Sequence, residues 1–98
     1  MNVTIQSIHF DADRKLTSFI STKTQKLVTY FDSILDAQVY LRLEKDHQHG
    51  NKVVELKLNV PHTTLIASER GHTFEEATDH IIDQMKRQLT KYKEKQRA

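Results

Sequence analysis

Two stretches of this chain alternate strictly between apolar and polar residues, and each has only one apolar face. In 37–44, Ala37, Val39, Leu41 and Leu43 oppose Gln38, Tyr40, Arg42 and Glu44. In 54–60, Val54, Leu56, Leu58 and Val60 oppose Glu55, Lys57 and Asn59. A period of two is the period of a β-strand. Strands apolar on one side only belong to a sheet covered on that side and wet on the other. Whatever else the chain forms must therefore lie on a single face of this sheet.

The remaining segments supply that cover. Residues 2–10 alternate loosely through Val3, Ile5, Ile8 and Phe10, with an irregularity near Ser7, and read as a first strand. Asp11 or Asp13 caps a helix over about 14–31, whose apolar positions Leu16, Phe19, Ile20, Leu27, Tyr30 and Phe31 fall on one face at 3.6 residues per turn. After the two alternating strands, joined through a polar stretch with Gly50-Asn51, Pro61-His62 makes a turn into a shorter strand over 63–70. Thr73 and Glu76 have the spacing of a capping box. They open a second helix over about 74–95 with the stripe Phe74, Ala77, Ile81, Met85, Leu89 and Tyr92. The order is β-α-β-β-β-α. Short connections predict an antiparallel sheet, and the two stripes predict two helices on one face of four strands. That is an α+β two-layer sandwich. With 98 residues, one domain over 1–98 accounts for the chain.

Composition narrows the function classes. At 37% hydrophobic and 29% charged residues, the chain is globular rather than disordered. It has no cysteine, so disulfides and thiolate metal sites are excluded, in keeping with a reducing cytoplasm. No basic-then-apolar leader opens it, and no apolar run reaches the roughly 18 residues of a membrane span. Two glycines and one proline leave no phosphate-cradling loop. Ser-His-Asp and Cys-His arrangements are absent, and Glu75 and Glu76 are explained by capping, so no catalytic residue, small-molecule substrate or cofactor is expected. His47 and His49 in one turn, with His62 and His72 in or beside others, do not make a zinc site, and no metal is expected.

Charge is more informative by place than by sum. Residues 80–98 hold six cations against two acids, a surplus of four in a chain whose net charge is +2, so the remainder carries −2. On the second helix, His80, Gln84, Arg87, Lys91 and Lys95 line one flank of the stripe without an acid; Lys86, Lys93 and Arg97 share the other flank with acids. The first helix has no acid at all between Arg14 and Phe31. It carries Lys15, Lys23 and Lys26 among Thr and Ser hydroxyls, donors suited to phosphate oxygens. Lys23 falls within the apolar stripe itself. That is explained either by snorkelling at the layer's edge or by presentation in a groove between the helices. Each helix thus predicts an acid-free basic flank.

At the second helix the chain becomes recognisable. The run from Asp83 to Lys95, DQMKRQLTKYKEK, resembles the C-terminal helix of the ribosome hibernation-promoting factor and ribosome-associated inhibitor A family. KTQKLVTYFD, from Lys23 to Asp32, is similar to that family's first helix. The resemblance extends over the whole chain. It implies a fold similar to double-stranded-RNA-binding domains. It further implies a monomer that binds the small ribosomal subunit and its ribosomal RNA in the decoding and tRNA region, silencing translation by occlusion. Lys23, Lys26, Arg87, Lys91, Lys93 and Lys95 match basic positions of the family's helices. Lys15, Lys86 and Gln84 complete the expected RNA-binding set, Gln84 standing where many members have lysine. Because the chain stops at Ala98, it resembles the short type, without a dimerising C-terminal domain or acidic tail. Two other readings stand beside this one: a general binder of structured RNA, and a protein-interaction adaptor using a strand edge or the Tyr40 face.

Overall fold

A computed structural model describes residues 1–45, Gln48 and 50–97, with the side chain of Arg97 excepted. Strand β1 spans Asn2–Ser7, α1 Arg14–Gln25, a 3-10 turn Lys26–Thr29, β2 Asp36–Leu43, β3 Lys52–Val60, β4 Thr63–Gly71 and α2 Phe74–Arg97. The β-α-β-β-β-α order is the expected one, and the sheet order is β1-β2-β3-β4. The sheet is mixed rather than antiparallel, because β1 pairs with β2 in parallel while β2–β3 and β3–β4 are antiparallel. The cause is the helix between them. α1 carries the chain back along the covered face, so β2 starts at the same end as β1.

The hairpins follow their turn chemistry. Val60 pairs with Thr63 across Pro61-His62, and His62 takes a left-handed φ of +75°. Gly50 has φ +94°, and a Cβ there would come within 2.3 Å of the Gly71 carbonyl group. Only glycine fits this crossing, which locks the start of β3 against the end of β4.

The caps are as the residues predict: Asp13 Oδ1 accepts from the Leu16 amide at 2.8 Å, and Thr73 Oγ1 from the Glu76 amide at 3.0 Å. The core lies between the layers. Cross-strand neighbours Val39–Leu56–Ala67 and Ala37–Leu58–Leu65 form its sheet side. Ile20, Leu27 and Phe31 cover it from one end, and Ala77, Ile81, Met85 and Leu89 from α2. Each large side chain fully buried here contributes roughly 1.5–3 kcal/mol of transfer free energy. Thr24 and Thr78 are also buried, and their hydroxyls are satisfied by donating back to the carbonyls of Ile20 and Phe74.

Two expectations about α1 change. It is shorter than 14–31, ending at Gln25 before the 3-10 turn. Tyr30 is not in the core: it is 43% exposed, while Phe31 beside it packs edge-on against Tyr92 at 5.5 Å. The buried stripe is narrower than hydrophobicity alone suggests. Phe19, Lys23, Lys26 and Tyr30, spaced i, i+4, i+7 and i+11, run along its flank, which borders α2.

Candidate nucleic-acid interface

The flank of α1 and the facing flank of α2 enclose a cleft of about 550 Å³, lined by Lys23, Lys26, Thr29 and Tyr30 on one side and Asp79, Ile82, Asp83 and Lys86 on the other. Lys23 is therefore presented in the groove between the helices. It lies over the Phe19 ring, 5.5 Å from its centroid, and pairs with Asp79 at 3.4 Å. Lys86 does the same from the other wall, 5.1 Å from the Tyr30 centroid and 3.9 Å from Asp83. Each ammonium is thus held over an aromatic face and beside a carboxylate at the partly exposed edge of the layer.

The expected acid-free flanks do not merge into one surface. The α1 flank faces the side of α2 that carries Asp79 and Asp83, so acid enters the groove from the neighbouring helix. The flank of α2 expected to be acid-free divides: its Arg87 and Lys91 lie on the outer surface beside Glu94, whereas His80 and Gln84 turn the other way, toward β4. There Gln84 donates to Glu69 and also accepts from Gln88, Gln88 donates to the Ile66 carbonyl at 3.0 Å, and His80 Nδ1 is 3.3 Å from the Arg70 carbonyl. These contacts occupy the outward carbonyls of an edge strand, which otherwise template further pairing. Gln84 is thus tied into the fold, and its expected phosphate contact would have to displace Glu69.

Beyond the groove, Arg87 and Lys91 lie one turn apart on the outer surface of α2, bordering a shallow depression with Tyr30, Lys86, Thr90 and Glu94. Lys93 reaches across to the Tyr30 carbonyl at 3.4 Å. Among the described residues Lys26, Arg87, Lys91 and Lys95 have no ion-pair partner. The ribbon Lys23, Lys26, Lys86, Arg87, Lys91, Lys93 is brought together around the end of α1. Lys15 is not part of it: it borders a separate depression with Asp13, Leu16, Phe19 and Glu75. Arg97's side chain lies outside the described residues, as do His47 and His49. Among the described residues no group of three His, Asp or Glu side chains could hold a metal ion. No helix among them is long and apolar enough to cross a membrane. Sequence reasoning missed Tyr30 as a surface residue; its i+11 spacing from Phe19 along the Lys23 flank was the available signal.

The fold and its cationic ribbon define an α+β module with chemistry suited to a polyanion. Over residues 3–97 the chain matches the family described as Sigma 54 modulation protein / S30EA ribosomal protein. It is 31% identical over 98 residues to the ribosome hibernation promoting factor of Pseudomonas putida, covering 100% of this chain and 92% of that one. It is 33% identical over 95 residues to the protein of the same name from Escherichia coli K12, covering 97% and 96%. Among solved structures it is similar to a ribosomal subunit interface protein from Coxiella burnetii, with a TM-score of 0.85 at 19% identity, over 95% of this chain and 98% of that one. The N-terminal domain of Thermus thermophilus Protein Y superposes with a TM-score of 0.80, also at 19% identity, over 94% and 99%. The chain belongs to this ribosome hibernation factor family, which is not a family of enzymes.

Proposed function

We propose that this chain is a ribosome hibernation factor that binds the small ribosomal subunit through its helical layer, in the decoding and tRNA region, and inhibits translation by occlusion. The observation that carries this reading is the cationic ribbon at the end of α1, where Lys26, Arg87 and Lys91 lack an acid partner among the described residues. Such side chains are donors ready for phosphate, and phosphate contacts fix a protein's position on RNA without reading sequence. The full-length relatives are named for ribosome hibernation, and the Coxiella structure for a ribosomal subunit interface. Occlusion needs only shape and phosphate contacts, so a rigid 98-residue domain acting as a cytoplasmic monomer suffices.

The test is competition. Purified small subunits, empty or preloaded with messenger and P-site tRNA, are sedimented with the protein. Preloaded subunits should exclude it; full simultaneous occupancy of all three ligands would rule out occlusion and leave a general structured-RNA binder.

A further inference from the structure

Three tyrosines divide by role. Tyr92 donates its hydroxyl to the Pro61 carbonyl and packs edge-on against Phe31. Tyr40 donates to Gln38 Oε1 at 3.2 Å on the outer face of the sheet. Tyr30 makes no side-chain hydrogen bond among the described residues and is 43% exposed even with Lys86 above its ring. It is nonetheless well anchored. Its amide donates to the Leu27 carbonyl at 3.0 Å, its own carbonyl accepts from Lys93, and the next residue, Phe31, is buried. Four surface depressions meet at this ring, and their other borders supply Lys26, Lys86, Arg87, Lys91 and Lys93.

We propose that Tyr30 is a stacking platform for one unstacked nucleobase, with the surrounding cations holding the phosphates on either side of it. This rests on the reading that the helical layer binds RNA, and it adds the residue that contacts a base rather than the backbone. An aromatic floor with a cationic rim matches a nucleotide in both its parts: π-face for the base, ammonium and guanidinium for the phosphates. Pre-fixed backbone on both sides of Tyr30 means little is lost in ordering the ring on binding. Acids border the same depressions, Asp79 and Asp83 beside Lys26, Asp32 beside Lys93, and Glu94 beside Arg87, Lys91 and Lys93. The base takes the ring face by displacing the Lys86 ammonium or stacks on the face opposite it.

The experiment compares Tyr30→Phe, Tyr30→Trp and Tyr30→Leu with the parent chain. Two ligands are used, purified small subunits and a short single-stranded oligoadenylate, each at several salt concentrations. Stacking on an aromatic is tolerant of ring type, and its loss costs a single base's contribution. Tyr30→Phe should bind like the parent and Tyr30→Leu about 5- to 150-fold more weakly, with an unchanged salt slope because no phosphate contact is removed. Lys93→Ala, in contrast, should lower the slope by about 1. The parent chain contains no tryptophan. Tyr30→Trp is then a single reporter, and its fluorescence should be quenched by both ligands. Leucine binding subunits as tightly as phenylalanine, at equal thermal stability, would overturn the platform while leaving the ribosome reading intact. Quenching by oligoadenylate without any binding of subunits by the parent would support the platform and sink the ribosome reading. Absence of quenching by either ligand overturns the platform. If only an acidic protein quenches the reporter, the ring serves a protein partner and the proposal is equally overturned.

Discussion

The two faces of this molecule treat charge in opposite ways. On the uncovered face of the sheet the two arginines are matched to acids, while Lys57 lies over the Tyr40 ring without an ion pair among the described residues. Arg42 bonds Glu55 and Glu44, the latter at 3.2 Å, and Arg70 bonds Glu44 at 3.0 Å, a lattice over β2, β3 and β4 that covers Val53. Val53, though it points away from the core, is only 2% exposed as a result. The hydrogen bond from Arg70 holds the Glu44 carboxyl below the usual carboxylate range, against some desolvation and with help from Arg42. Glu55 in turn raises the Arg42 guanidinium above its ordinary value. On the helical face Lys26, Arg87 and Lys91 form no ion pair among the described residues, although Asp79, Asp83 and Glu94 border the same depressions. Matched charges stabilise a surface and leave little for a partner. Unmatched ones keep their field for a polyanion.

The largest expected effect tests that contrast directly. If about six phosphates are neutralised, affinity for small subunits should fall roughly 10³-fold between 50 and 200 mM monovalent salt. A nearly flat response measured by filter binding would defeat the electrostatic account and favour a protein-interaction adaptor. Next in size is Arg87→Ala combined with Lys91→Ala. It should lower affinity on the order of tenfold and the salt slope by about 2. Lys45→Ala with Lys52→Ala removes the same charge elsewhere and should do far less; equal losses would mean that only net charge matters.

Smaller effects sharpen the comparison. Asp79→Asn removes the acid that holds Lys23 at 3.4 Å. An exposed pair is worth at most about 1 kcal/mol, so subunit affinity should rise by up to about fivefold. A decrease would mean that Asp79 positions Lys23 for its contact. Glu44→Gln, last, should leave subunit affinity unchanged and act on stability alone. Because Glu44's folded pKa is lowered, its contribution is complete above its unfolded pKa of about 4.3 and is lost as pH falls through the folded value. Urea midpoints of the variant should therefore lie below those of the parent at pH 7 and approach them at pH 3. A difference that persists unchanged at pH 3 would assign the effect to packing over Val53.

The sequence by itself determined the elements. One-sided alternation at 37–44 and 54–60 demanded a sheet covered on one face, and the pair Asp11 and Asp13 and the residue Thr73 marked where the covering helices start, Asp13 being the cap of the two. These are local properties, written in spacing and cap chemistry that neighbours along the chain enforce. It also marked Lys23 as out of place in an apolar stripe. Tertiary structure alone decided the rest. The parallel β1–β2 pair depends on where α1 returns the chain. Gln84 is bonded to Glu69 because α2 rests beside β4. The acid-free flank of α1 acquired Asp79 and Asp83 from another helix, and Tyr30 moved from expected core to surface at the same boundary. Periodicity fixes which way a side chain leaves its own axis, not which element it meets there. For charged and aromatic groups at the edge of a layer, that meeting sets exposure, pairing and hence function.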